Sequence, residues 1–185
     1  MIVLGVDLSS KTGFALLQDR KLLNHENLII SNPHKGAPFP DCIFGWAKSN
    51  AKAIFDRIQE YCTKNQVDWI VIERTNLGRN RDSQAFLEAS HAYLLDLFSA
   101  ANLLTRVAYL DTTEWRRLVQ LRLSEKDKEN NKLAKKKKKG HTKITTKHLS
   151  VRLANETFGL KLLKKQNDEA DAICLALAFF NKKGM

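Results

Sequence analysis

The hydrophobic pattern of this 185-residue chain changes period along its length, and that change limits the architectures open to it. Ile2-Val3-Leu4-Gly5-Val6 is a continuous apolar run that closes on Asp7. Gly13 to Leu17 and Leu22 to Ile30 read as two more strands after short connections, so the three predict an antiparallel meander. Ser31 to Pro40 is broken by Pro33, Gly36, Pro38 and Pro40 and reads as a loop. The spacing then becomes helical, with Ala47, Ala51, Ile54, Ile58 and Tyr61 on one face. Asp68 to Glu73 is a fourth strand, and Asp82 or Ser83 is expected to cap a helix running to about Asn102. Thr105 to Leu110 is a fifth strand, followed by a short helix with Trp115 capped by Thr112 or Thr113. Two helices close the chain. One carries Val151, Ala154 and Phe158 and stops at Gly159; the other carries Ala170, Ile173, Cys174 and Leu177. A meander followed by alternating helices and strands predicts an α/β fold, a five-stranded mixed sheet flanked by helices in a single domain over 1–185.

Composition narrows the function classes. Hydrophobic residues make up 43% of the chain, yet no apolar run approaches the roughly 20 residues that span a bilayer. No basic leader precedes the first apolar run, so it reads as a strand and not as a signal peptide. Cys42, Cys62 and Cys174 are scattered and form no C-x-x-C pair, which argues against a disulfide framework or a zinc knuckle and fits the cytoplasm. The net charge of +11 points to a polyanionic partner. No helix sets a basic face against a bulky apolar one, so nucleic acid is favoured over a membrane surface. Ser124 to His141 is charged and low in complexity, with five consecutive lysines, Lys135, Lys136, Lys137, Lys138 and Lys139. It is expected to be a mobile arm, either simply solvated or making sequence-blind phosphate contacts.

Against this basic background four carboxylates stand out. Asp7 and Glu73 each end an apolar strand, and functional groups of open α/β sheets gather at such carboxyl ends. Asp168 and Asp171 are spaced i, i+3 at the start of the last helix and share one face. Converged, the four would repel one another unless cations lay among them. Hard oxygen ligands select Mg²⁺ or Mn²⁺ over zinc. Two such ions about 3.5–4 Å apart clamp a phosphodiester, one activating water and one steadying the leaving oxygen. Each acid alone has a plainer reading: a turn at Asp7, an ion pair at Glu73, helix-terminus electrostatics at Asp168 and Asp171. All four together in a strongly basic chain favour the metal centre.

Val3-Leu4-Gly5-Val6-Asp7-Leu8-Ser9-Ser10-Lys11-Thr12-Gly13 resembles the first motif of the RuvC Holliday-junction resolvases. Val71-Ile72-Glu73-Arg74 with Asn80-Arg81-Asp82-Ser83 resembles the second, and Asn167-Asp168-Glu169-Ala170-Asp171-Ala172 resembles the closing D-x-x-D-A motif. The resemblance implies an RNase H-like fold and a homodimer, with two divalent metals per site held by Asp7, Glu73, Asp168 and Asp171. It implies paired, symmetric nicks in four-way DNA junctions. It also implies that Lys147, or less directly Lys143, contacts the scissile phosphate. Ser9, Lys11, Arg74, Arg79, Arg81 and Lys135 to Lys139 are expected to hold DNA, with Leu77 as a small wedge. The family's loop after the glutamate usually carries an aromatic wedge; Arg74 to Arg81 has none. The lysine-rich addition resembles that of phage-encoded members.

A broad apolar face on the helix after Glu73, around Leu87, Leu94 and Phe98, is expected to receive a second copy of the chain. Other readings remain open from the residues. A nuclease of this fold acting on flaps, Y-forks or RNA is one, and a module that binds branched DNA without cutting is another. An actin-like ATP-binding protein is disfavoured, because the chain lacks room for a second phosphate loop.

Overall fold

The computed structural model describes residues 1–74, 80–137 and 140–184. Strands β1 (Ile2–Asp7), β2 (Lys11–Gln18) and β3 (Lys21–Ile29) form the meander. Helix α1 (Trp46–Asn65) follows a π-helical turn at Asp41–Gly45 and leads to β4 (Trp69–Glu73). Then come α2 (Arg81–Ala100), β5 (Val107–Leu110) and α3 (Thr112–Leu118). Helices α4 (Glu125–Lys135), α5 (Thr146–Phe158) and α6 (Asn167–Lys182) complete the chain. The sheet order is β3-β2-β1-β4-β5, antiparallel through the meander and parallel at β1–β4 and β4–β5. This is the five-stranded mixed sheet expected from the sequence. Among the described residues no helix is long and apolar enough to cross a membrane.

Strand alternation splits the core into two layers. Leu4, Val6, Phe14, Leu16, Ile70 and Ile72 face α1 and α2. Val3, Ala15, Leu17 and Val71 face the other way, toward α3, α5 and α6. Helix α6 is buried continuously from Glu169 to Phe180, since the sheet covers one side and α3 and α5 cover the rest. It lies on the sheet with little clearance. A Cβ at Gly5 would come within 2.2 Å of the Ala172 carbonyl oxygen, and one at Gly13 within 2.0 Å of the Asp168 carbonyl oxygen. Glycine at both positions is what lets the helix backbone sit this close.

Three expectations need correction. Helix α2 is capped by Asn80, whose Oδ1 accepts from the amides of Asp82 and Ser83, and not by Asp82 or Ser83 themselves. Helix α3 is capped by Asp111, which accepts from the Glu114 amide at 2.7 Å. In both cases a stronger or better placed acceptor lies one or two residues upstream of the first expected cap. The lysine-rich stretch after Ser124 is helical through Lys135. Ser124 and Asp127 form a capping box. Asp127 is buried in a two-pronged ion pair with Arg152 of α5, at 2.9 and 3.0 Å, which holds its carboxyl well below the usual range. Asn131 brackets the backbone of Ile144, donating at 2.9 Å and accepting at 2.7 Å, so the segment after α4 is tied back to it.

The broad face of α2 is also resolved differently. Leu94 and Phe98 are fully buried within the chain against α1 and the sheet, and Leu87 is half-buried. The apolar width of α2 is thus used within one chain. Leu95, at 38% exposure, is the large apolar side chain that α2 leaves open.

Candidate active site

Period-two alternation fixes where the first two acids point. Asp7 lies two residues beyond Gly5, and Glu73 two beyond Val71, so both project to the α6 face. Val6 pairs with Ile72 in parallel register, which sets the two acids side by side at the strand ends. Gly13 pairs with Asp7 across the meander, and over Gly13 lies the backbone of Asp168. The first turn of α6 is thereby pressed onto the strand ends. Asp7, Glu73, Asp168 and Asp171 all line one cleft of about 390 Å³, together with Ser9, Arg74 and Lys147.

The electrostatics are those of crowded acids. Asp7 is held well above the usual carboxylate range, first by desolvation and then by Asp171, Glu73 and Asp168, with Lys147 pulling the other way. Burial pushes Asp171 up to about 6, against a hydrogen bond from Ser150; Glu73 adds to the rise, and Arg116 and Lys147 oppose it. The remaining acids are braced. Thr112 Oγ1 donates to Glu73 Oε1. Asp168 lies 3.5 Å from Lys11 Nζ and accepts from Asn167 at 2.5 Å, while Lys11 also donates to the Lys165 carbonyl at 2.6 Å. Glu169, between the two aspartates, turns away and takes hydrogen bonds at 2.6 Å from both His25 Nδ1 and Asn27.

Among the described residues, no three His, Cys, Asp or Glu side chains are gathered tightly enough to cage an ion. The acids line the cleft walls. Their chemistry nonetheless fits a hard divalent cation: all are oxygen donors, and the charge that burial and mutual repulsion suppress on Asp7 and Asp171 is what such a cation would stabilise.

Other expected site residues fall in several places. Ser9 and Arg74 line the cleft, and Lys11 borders it through Asp168. Lys147 sits exposed on the first turn of α5; Lys143 is exposed in the segment before it and does not line the cleft. Arg81 is exposed at the start of α2. Lys135 ends α4, with Lys136 and Lys137 exposed just after it. Leu77, Arg79, Lys138 and Lys139 lie outside the described residues. Three cleft features escaped the sequence reading. Arg116 lines the cleft from α3, and Thr112 reaches Glu73 from the same helix. His91 lines it from α2; burial pulls its pKa down to about 4, so it is neutral at physiological pH. His91 stands four residues after Leu87, a helical spacing that signals a shared face. Nothing in the linear sequence ties Arg116 to the acids.

No protein-family model and no curated protein sequence matches the chain. Solved structures do match its fold. Thermus thermophilus RuvC in complex with a Holliday junction substrate aligns over 100% of this chain and 96% of its own, at TM-score 0.63 and 17% identity. A second Thermus thermophilus RuvC structure aligns over 100% and 97%, at TM-score 0.63 and 18% identity. The yeast mitochondrial Holliday junction resolvase Ydc2 aligns over 98% of this chain and 78% of its own, at TM-score 0.56 and 14% identity. The architecture is therefore RuvC-like, within the RNase H-like fold.

Proposed function

We propose that this chain is a structure-selective DNA endonuclease that resolves four-way junctions by metal-dependent phosphodiester hydrolysis. One observation carries the reading: Asp7, Glu73, Asp168 and Asp171 share a cleft with Lys147, Arg74 and Arg116, in a chain of net charge +11. The likeness in fold to proteins whose names specify Holliday junctions supports the choice of substrate.

In this reading the four carboxylates hold two Mg²⁺ or Mn²⁺ ions. When bound, the ions supply Lewis-acid activation of the phosphodiester and of the attacking water. The chain's own residues do the rest. Gly5 and Gly13 keep α6 pressed to the sheet, so that the acids of the helix and of the strands meet the same phosphate. Lys147 and Arg116, whose positive charges already bear on Asp171, offset negative charge on the phosphate as it reacts. Thr112 holds the Glu73 carboxylate in one orientation. Neutral His91 borders the cleft without adding to its charge. Arg74, Arg81 and the lysines that follow α4 hold the DNA backbone without reading sequence. Two copies act on one junction, each nicking one strand; the chain works in a cell's cytoplasm, and its lysine-rich addition fits a phage-encoded enzyme.

The test is a side-by-side digestion with Mg²⁺ of a synthetic four-way junction, a Y-fork, a flap, a linear duplex and an RNA–DNA hybrid. Preferential, paired nicking of the junction is expected. Cutting confined to the fork, flap or hybrid would reassign the substrate, and binding without any cutting would reduce the chain to a DNA-holding module.

A further inference from the structure

Beside the acid cleft lies a second cavity, of about 450 Å³, between the start of α1 and the start of α2. Its size falls within the roughly 300–1,000 Å³ of small-ligand sites. Ser9 and Leu87 line both cavities, so the two share a wall. Ile43, Trp46 and Phe86 provide much of its apolar lining, with the two aromatic rings stacked at a centroid distance of 4.0 Å. The polar groups are few: the hydroxyls of Ser9, Ser10 and Ser83, the Cys42 thiol and the carboxylate of Asp82, with the Trp46 Nε1–H buried and without a hydrogen-bond partner among the described residues.

This lining selects against phosphate. Its one charged side chain is an acid. The amides of Asp82 and Ser83 at the α2 start, which would otherwise attract an anion, already donate to Asn80 at 3.0 and 3.1 Å. A flat heteroaromatic ring with N–H groups on its edge suits it better. The ring has aromatic and aliphatic walls to rest on, and a carboxylate accepts from the amino groups that cytosine, adenine and guanine carry. The segment before α1, which lines the cavity through Cys42 and Ile43, also carries Phe39, 71% exposed and in edge contact with Phe44 at 5.9 Å.

We propose that this cavity seats one nucleobase, unstacked from the junction beside the phosphate being cut, with Trp46 and Phe86 as its wall and Asp82 reading its amino edge. The proposal rests on the nuclease reading above and adds a base-reading site to it.

The test scans a four-way junction in which each nucleotide flanking the branch point is replaced in turn by an abasic residue. Wild-type cutting with Mg²⁺ should fall about tenfold at one position, the scale of one lost base-stacking contact, and stay near normal elsewhere. Cys42→Trp and, from the opposite wall, Ser83→Tyr fill the cavity. Either should slow cutting of the intact junction by a similar factor and abolish the extra penalty at that position, with an unchanged melting temperature. A binding arm uses the cleavage-blocked Asp7→Asn chain and 2-aminopurine at the same positions. Its fluorescence should change at that one position and not in the cavity-filled variants. A junction that is cut normally at every abasic position, or bound with no position-specific change in fluorescence, overturns the base site while leaving the nuclease reading intact. A junction neither cut nor bound overturns both.

Discussion

Replacing Gly13 by alanine should damage catalysis from a position outside the acids themselves. The new Cβ would lie 2.0 Å from the Asp168 carbonyl oxygen, 2.3 Å from its carbon and 2.8 Å from the Glu169 nitrogen. All three are backbone atoms of α6, so no side-chain rotation relieves the clash. Opening a 2.0 Å approach to the 3.4 Å of ordinary contact moves the first turn of α6 by about 1.4 Å. Overpacking of this kind costs about 1–3 kcal/mol, which for a chain of this size lowers the melting temperature by roughly 2–12 °C. A misplacement near 1 Å costs about 10²-fold in rate. The assay pairs thermal melting with junction-cutting rates per folded molecule. Gly159→Ala is the control. Gly159 has φ +65° and open space around it, so alanine there is strained by about 1–2 kcal/mol without touching the acids. It should melt lower and cut normally. Wild-type melting and cutting in Gly13→Ala would refute the close seating of α6; a loss of rate in both variants alike would refute its catalytic meaning.

Other outcomes follow from the same structure. Asp171 rises from its ordinary 3.8 to about 6, so without metal the folded chain loses about 3 kcal/mol as pH rises from about 4 to 7. Asp171→Asn should remove that loss, melting higher than wild type at pH 8 and converging toward pH 4, and Mg²⁺ should raise the melting temperature of wild type more than that of the variant; a pH-independent difference contradicts the buried acid. Changing Lys135, Lys136 and Lys137 to glutamine should weaken binding to all DNA shapes similarly and make the log–log salt dependence shallower by about 2 to 3. An unchanged slope would leave these lysines solvated and idle. Sedimentation should show two chains per junction. One chain per junction would contradict paired nicking and, with Leu94 and Phe98 already buried, leave α2 no role in assembly.

The sheet and the acids were legible in the sequence because they rest on short-range pattern. A run such as Trp69 to Glu73 declares both a strand and an acid at its end. Two-residue alternation even fixes which face Asp7 and Glu73 occupy, once Gly5 and Val71 are known to face α6. Gly5 and Gly13 stand in the motif, but only the packed helix explains them. The capping box at Ser124 and Asp127 was readable and was masked by the surrounding lysines. Its anchor, Arg152, is 25 residues away and was not readable. The apolar width of α2 looked like an interface because a sequence cannot say that α1 and the sheet cover it from two sides. Arg116 and Thr112 reach the cleft through the parallel step from β4 to β5, a long-range pairing that no local spacing announces.

The most direct measurement compares wild type with Asp7→Asn on one four-way junction, with Mg²⁺ and with chelator. Wild type with Mg²⁺ should give paired nicks. The variant, and wild type in chelator, should bind the junction and leave it whole. Cutting that survives either the loss of Asp7 or the removal of divalent metal would contradict a carboxylate-held metal centre at these strand ends.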